Sequence, residues 1–106
     1  MENRSQPLTE ALFYILLAAR KPVHGYGIIQ EVAEMTGGRV SLGPGTLYGA
    51  INTLLERGWI VLHSAELGSR KKKEYLITPQ GREAFGIEMQ RLRELALNGE
   101  KMEGGK

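Results

Sequence analysis

Helix-breaking residues divide this chain into short segments, and this division limits its possible folds more than any other feature. Lys21-Pro22 ends the first segment, because the residue before a proline is biased away from the helical region. Gly37-Gly38 and Gly58 are further stop signals. Thr78-Pro79 combines a helix N-cap with a proline at the first helical position. The sequence therefore predicts several short elements in one domain, without internal repeats.

Three helices are predicted before residue 59. The first runs from Leu8 to Arg20 and is apolar around most of its circumference, which is typical of a helix buried on two sides. In so small a domain, we expect the second side to contact another subunit. The second helix runs from Gly25 to Met35, and residues 39–42 alternate as in a short strand. The third helix begins at Pro44 and ends before Gly58.

A β-hairpin and a last helix complete the predicted elements. Two strands, Trp59 to Ser64 and Lys73 to Thr78, flank a charged loop. A helix with an apolar stripe follows and is expected to end at Asn98-Gly99. The predicted organisation is a flexible N-terminal arm (1–7), a folded body (8–78), a C-terminal helix packed on it (79–98) and a disordered tail (99–106).

Four consecutive basic residues, Arg70 to Lys73, lie at the tip of this predicted hairpin. Together they exceed the formal net charge of the whole chain, which is +2, so all of the positive excess lies in one short segment. A localised basic patch on an otherwise balanced domain is typical of an element that contacts phosphates. The alternative is an ordinary solvated loop.

Composition limits the possible chemistry. The chain has no cysteine, which excludes disulfides, thiolate metal sites and a cysteine nucleophile. His24 and His63 are separated and nothing clusters with them, so we expect no metal site, no cofactor and no enzymatic activity. His24 is expected to have a structural role, orienting or capping the start of the second helix. The N-terminal residues are polar, and the longest apolar stretch, Ala11 to Ala19, is too short to span a bilayer. We therefore expect a cytoplasmic protein without a membrane partner.

The order of elements predicts an α+β, mainly α fold: a winged helix-turn-helix with an added C-terminal helix, for which dimerisation is the expected role given the resemblance described below. In that arrangement the third helix enters the major groove of DNA, and the hairpin, or wing, lies along its backbone. Because a fold does not fix a function, a protein-interaction module is an alternative. That alternative predicts an uncharged or acidic hairpin tip, contrary to Arg70 to Lys73.

Several motifs closely resemble the PadR family of bacterial transcriptional regulators, in its small form with a single C-terminal helix. They are His24-Gly25-Tyr26, Leu42 to Tyr48, Leu54 to Ile60, and Tyr75 to Thr78 with Gly81-Arg82, and the resemblance extends from about Leu8 to Leu97. It implies a homodimer in which the last helix packs with the partner's first helix. It also implies binding to a roughly palindromic operator of double-stranded DNA, usually as a repressor that a small hydrophobic or phenolic effector releases.

The candidate DNA-binding residues lie on the second and third helices and at the hairpin tip: Tyr26, Gly45, Thr46, Tyr48, Asn52, Arg70, Lys71, Lys72 and Lys73. Backbone amides at the start of the third helix could hold a phosphate, or form only a turn and cap. Tyr48 could contact DNA or pack against Tyr26, which could itself lie near DNA or in the core. Asn52 could read an adenine edge, although base-reading residues usually lie nearer the start of a recognition helix.

Apolar residues of the first and last helices are candidates for the dimer interface: Leu12, Phe13, Leu16, Phe85, Met89, Leu92 and Leu95. Tyr14, Trp59 and Met89 are candidate effector contacts, because small-molecule sites are mostly apolar. For each of these residues, packing in the core or in the interface is the simpler alternative.

Overall fold

The computed structural model describes residues 6–65 and 73–104. The elements are α1 (Glu10–Ala18), β1 (Val23–His24), α2 (Gly25–Met35), α3 (Pro44–Glu56), β2 (Ile60–Ala65), β3 (Lys73–Ile77) and α4 (Pro79–Gly104). This is the predicted winged helix-turn-helix order with one additional strand, β1. No helix in these two ranges is both long and apolar enough to cross a membrane.

The core is built by α1, α2, α3 and the sheet. Thr9 starts α1, since its side chain accepts a hydrogen bond from the amide of Leu12 (3.1 Å). The helix is thus one turn shorter than the predicted Leu8 to Arg20. The core consists of one cluster of buried apolar side chains, whose largest fully buried members are Ile15, Leu16, Ile28, Val32, Leu47, Ile51, Leu54 and Ile60.

Glycines end α2 and α3 as the sequence predicts. Gly38 has a positive φ of 84°, and its amide reaches back to the carbonyl of Ala33 at 2.8 Å. Gly58 has a φ of 74°, which residues with a Cβ rarely adopt. The residue after it, Trp59, donates its amide to Leu54 at 3.0 Å, and the chain turns directly into β2.

The sheet has three antiparallel strands in the order β1-β3-β2. β2 and β3 form the predicted hairpin, with Ile60 opposite Ile77 and a register shift between Leu62 and Ser64. The third strand was predicted at residues 39–42, and this was wrong: those residues are bends and coil, and the short strand Val23–His24 pairs with β3 instead. Two residues are too few to produce an alternating pattern.

A hydrogen-bonded junction joins α3, β2 and α4. The Thr78 hydroxyl donates to the carbonyl of Gly58 at 2.6 Å and accepts from the amide of Gly81 at 3.0 Å. The Thr78 amide donates to the carbonyl of Trp59 at 2.9 Å. This confirms the predicted N-cap, and it fixes the direction in which α4 leaves the body.

The predicted end of the last helix was wrong. α4 continues through Asn98-Gly99 to Gly104, so most of the predicted tail at 99–106 is helical. A single glycine costs a helix interior only about 1 kcal/mol relative to alanine. Here Leu95-Ala96-Leu97 precedes the glycine and Glu100-Lys101-Met102 follows it, and these are mostly strong helix formers that offset this cost.

Candidate nucleic-acid interface

The start of α3 presents small residues to solvent. Gly45, Thr46, Tyr48, Gly49 and Asn52 are all exposed, whereas the opposite face of α3 is in the core. Gly43 is the N-cap and provides no side-chain hydrogen bond to the first turn. Backbone amides at a helix start carry partial positive charge and can bind an anion. The structure therefore places four of the predicted DNA-binding residues (Gly45, Thr46, Tyr48 and Asn52) on one accessible helix face.

Tyr48 is half-exposed, and its phenol lies over the first turn of α2. Its Cζ is 3.0 Å from the position that a Cβ on Gly25 would occupy. Packing against Tyr26 was the alternative for Tyr48, and the phenol lies against Gly25, the residue before Tyr26. Tyr26 itself is 64% exposed, which excludes the core position that was its alternative.

His24 holds the start of α2 in place. Its Nδ1 accepts a hydrogen bond from the amide of Gly27 at 3.2 Å, and its backbone pairs with Glu74 of β3. α2 therefore begins directly beside the hairpin. The structural role predicted for His24 is confirmed, and no group of three or more metal-ligating residues occurs among the residues that the structure covers.

The hairpin leaves the body next to α3. Lys73, the first residue of β3, is exposed and lies opposite Ala65. Arg70, Lys71 and Lys72 lie outside the described residues. The structure thus describes the two strands at the base of the predicted wing, and the basic tip remains a prediction from the sequence.

The candidate dimer residues divide into three groups. Leu16 is completely buried in the core of one protomer, so its assignment to a subunit surface was wrong. Phe13 and Phe85 stack on each other within the protomer, with ring centroids 4.8 Å apart, and Leu12 and Met89 are half-buried. Leu92 and Leu95 are exposed on α4, as is every residue after them up to Gly104.

A cavity of about 520 Å³ lies between the N-terminal segment, the end of α3 and the first half of α4. It is lined by Gln6, Pro7, Leu8, Thr9, Leu12, Arg57, Trp59, Gln80, Glu83, Ala84, Ile87 and Glu88. Of the three candidate effector contacts, Trp59 lines this cavity, whereas Tyr14 and Met89 do not. The guanidinium of Arg57 lies 5.0 Å from the centre of the Trp59 ring.

Glu88 is a buried carboxylate in the wall of this cavity that sequence reasoning missed. Its Oε1 accepts from Nε of Arg91 at 2.9 Å, and its Oε2 accepts from Nη2 at 2.6 Å. The hydrogen bond from Arg91 outweighs burial and lowers the pKa of Glu88. The carboxylate form of Glu88 is therefore favoured, and it forms an ion pair with Arg91 within α4. The Glu-x-x-Arg spacing was a visible signal, but it is common on solvated helix faces.

Comparison with known proteins identifies the class of molecule that this geometry belongs to. Residues 14–87 match the model of the transcriptional regulator PadR-like family. The chain therefore belongs to the PadR-like family of transcriptional regulators, whose members are not enzymes, and membership implies DNA-binding regulation.

Individual relatives agree with this assignment. The transcriptional regulator Rv3488 of Mycobacterium tuberculosis is 38% identical over 79 residues, which are 74% of this chain and 71% of that protein. A PadR family transcriptional regulator from Eggerthella lenta has the same fold, with a TM-score of 0.74, 21% identity and coverage of 86% of this chain and 79% of that one. A PadR family regulator from Clostridium difficile has a TM-score of 0.71 at 21% identity, covering 87% of this chain and 95% of that chain.

Proposed function

We propose that this protein is a homodimeric repressor that binds a palindromic DNA operator with the exposed face of α3 in the major groove. The observation that carries the proposal is the placement of Gly45, Thr46, Tyr48 and Asn52 on one uncrowded face of a family member's third helix. Small residues at the start of that face permit close approach to a groove.

The residues of this face have distinct proposed roles. The amides at Gly45 and Thr46 bind a phosphate, because the start of α3 has no side-chain cap among the described residues. Tyr48 donates its phenol to the DNA backbone. Asn52, one turn further along, is the candidate for a bidentate contact to an adenine edge. Tyr26, exposed near the start of α2, is a further candidate contact to the DNA backbone.

The wing supplies the second part of the proposed interface. Lysines that neutralise phosphates release counterions, and each phosphate contact on B-DNA steepens the dependence of log affinity on log salt by about 0.9. Replacing both Lys71 and Lys72 with alanine should therefore flatten this slope by about 1.8. The measurement is a gel-shift or anisotropy titration, at several salt concentrations, against the DNA upstream of the protein's own gene.

A matched control for the wing variant is Lys101→Ala, which removes an exposed lysine from the far end of α4. We expect its salt slope to equal that of the wild type. An unchanged slope in the Lys71/Lys72 variant would remove the wing from the interface. Absence of salt-dependent binding to any duplex by the wild type would contradict the proposed function and favour a protein-interaction module.

The second half of α4 supports the proposed homodimer. Leu92, Leu95 and Met102 are exposed on one side of α4, a helix of 26 residues in which every residue from Leu92 to Gly104 is exposed. Apolar side chains grouped on a projecting helix are typical of a subunit interface. A two-fold dimer presents two copies of α3, which matches a palindromic operator.

We further propose that the cavity beside Trp59 binds a small, largely apolar or phenolic effector. Its volume of about 520 Å³ lies within the range of ligand sites. Its walls include Arg57, the C-cap residue of α3, and residues of the first turn of α4, so a bound molecule would contact both helices. Binding there would change the angle between the dimerisation helix and the DNA-reading helix, and thereby release the operator.

A further inference from the structure

Gly25 occupies a position where its backbone does not require glycine. It is the first residue of α2, and positive φ values among the described glycines occur at Gly37, Gly38 and Gly58 only. Glycine within a helix costs about 0.5–1 kcal/mol relative to alanine. Backbone conformation therefore does not explain a glycine at this position. Because Gly25 is buried, the remaining explanation is a neighbouring side chain that packs closely against its backbone.

The neighbour is the side chain of Tyr48. A Cβ added to Gly25 would collide with the Tyr48 hydroxyl and lie 3.0 Å from Cζ of the same ring. The Leu47 side chain, at 3.4 Å from that position, is in ordinary contact. The phenol of Tyr48 thus fills the space that any other residue at position 25 would need.

The Tyr48 side chain thus leaves α3 and lies against the first residue of α2, while 48% of its surface stays exposed. A side chain that packs on a second element but is open to solvent is preorganised for a partner outside the protomer.

We infer that Gly25 is a positioning residue of the DNA interface, because its missing side chain allows the Tyr48 phenol to lie across the start of α2. The inference rests on the proposed function, in which Tyr48 contacts DNA. It adds a residue that makes no DNA contact itself and acts through Tyr48.

The test is a double-mutant cycle with Gly25→Ala, Tyr48→Ala and the double variant. Affinity is measured by anisotropy at one salt concentration, on a duplex that the wild type binds. A hydrogen bond to a phosphate is a charge-assisted bond, so we expect each single variant to bind about tenfold more weakly. Because Gly25 acts through Tyr48, the double variant should bind no more weakly than Tyr48→Ala.

Stability provides a second readout that does not depend on DNA. The change in stability against denaturant caused by Gly25→Ala should be less favourable in the wild type than in the Tyr48→Ala background, because its methyl group must displace the phenol only where the phenol is present. In the Tyr48→Ala background the same methyl group keeps only its ordinary contact with Leu47, so the double variant should be at least as stable as Tyr48→Ala. This comparison remains decisive if Gly25→Ala alone does not fold. Gly86→Ala, whose methyl group meets nothing within 4 Å, is the control for helical propensity.

Three results would overturn the inference. In the first, the affinity losses of the two single variants add in the double variant. In the second, Gly25→Ala destabilises the Tyr48→Ala background as much as the wild type. In the third, Tyr48→Ala binds DNA as tightly as a wild type that itself shows salt-dependent binding. Failure of the proposed function is distinguishable, because then the wild type itself binds no duplex.

Discussion

At the scale of single residues, Trp59 connects the cavity to the junction between the hairpin and α4. It is the only tryptophan of the chain, and its ring has the guanidinium of Arg57 on one side. Its backbone carbonyl accepts the amide of Thr78 at 2.9 Å, in the junction that begins α4. A molecule in the cavity would therefore contact a side chain whose backbone helps to set the direction of α4.

Because Trp59 is the only tryptophan, its fluorescence reports on the cavity directly. We expect a phenolic probe, 4-ethylphenol, to change this fluorescence saturably and to weaken binding to a duplex that the wild type recognises. Enlarging Ala84 in the cavity wall to leucine should abolish both effects by filling the space. Exposed Leu97→Ala on α4 is the control. A fluorescence change that persists in Ala84→Leu would place the probe elsewhere.

Leu12 and Leu16 of α1 show why the sequence does not reveal which apolar residues meet another subunit. Leu12 and Leu16 lie on one apolar face of α1, and both were assigned to the subunit interface. Leu16 is completely buried within the protomer, whereas Leu12 lines the cavity. A helix that is apolar on most sides does not reveal which side meets its own protomer, because that depends on where α2 and α3 pack. Contacts distant in sequence, such as Gly25 with Tyr48, are hidden for the same reason.

At the scale of elements, the helices and the hairpin were predictable because their boundaries are local. His24, Gly43-Pro44 and Thr78-Pro79 each mark a helix start by their own chemistry, and the structure confirms all three starts. β1 was missed because two residues become a strand only through pairing with β3. The end of α4 was missed because one glycine weakens a helix without ending it.

The junction between the hairpin and α4 gives a prediction with a control in the same helix. A Cβ on Gly81 would collide with the carbonyl oxygen of Trp59 and lie 2.8 Å from Ile77 Cγ1. Because the obstacle is backbone, Gly81→Ala should destabilise the protein by about 1–3 kcal/mol. Gly86→Ala, also in α4, adds a methyl group in open space and should be neutral or stabilising by up to about 1 kcal/mol.

Chemical denaturation at one protein concentration measures both glycine variants, since the stability of a dimer depends on concentration. Equal effects at the two positions would show that Gly81 is not a close-packing site. If the junction also sets the angle of α4, Gly81→Ala should disturb the spacing of the two DNA-binding units in the proposed dimer. A folded Gly81→Ala protein should then lose more affinity for a palindromic duplex than for a duplex with a single half-site.

At the scale of the whole molecule, α4 divides into a half that packs on the body and a half that is exposed. Phe85 stacks on Phe13 of α1, and Glu88 is buried, whereas from Leu92 to Gly104 every residue is exposed. At about 100° per residue, Leu92 continues the face of Phe85 and Leu95 lies about 60° from Leu92, whereas Leu97 lies about 140° or more from both leucines, on the opposite side of the helix. Leu92 and Leu95 therefore lie on the proposed dimer face, and Leu97 is an equally apolar residue outside it.

The proposed homodimer predicts different results for these two faces. Replacing Leu92 and Leu95 with aspartate should leave the protomer folded, because both side chains are exposed, but shift sedimentation from dimer to monomer. Affinity for a palindromic duplex should then fall about a hundredfold, since two linked half-site contacts become independent. Leu97→Asp adds a charge of the same kind on the opposite side and should remain dimeric with wild-type affinity. A double variant that still sediments as a dimer would exclude this face of α4 as the interface, and a monomer that keeps full affinity would show that the operator is read by one subunit alone.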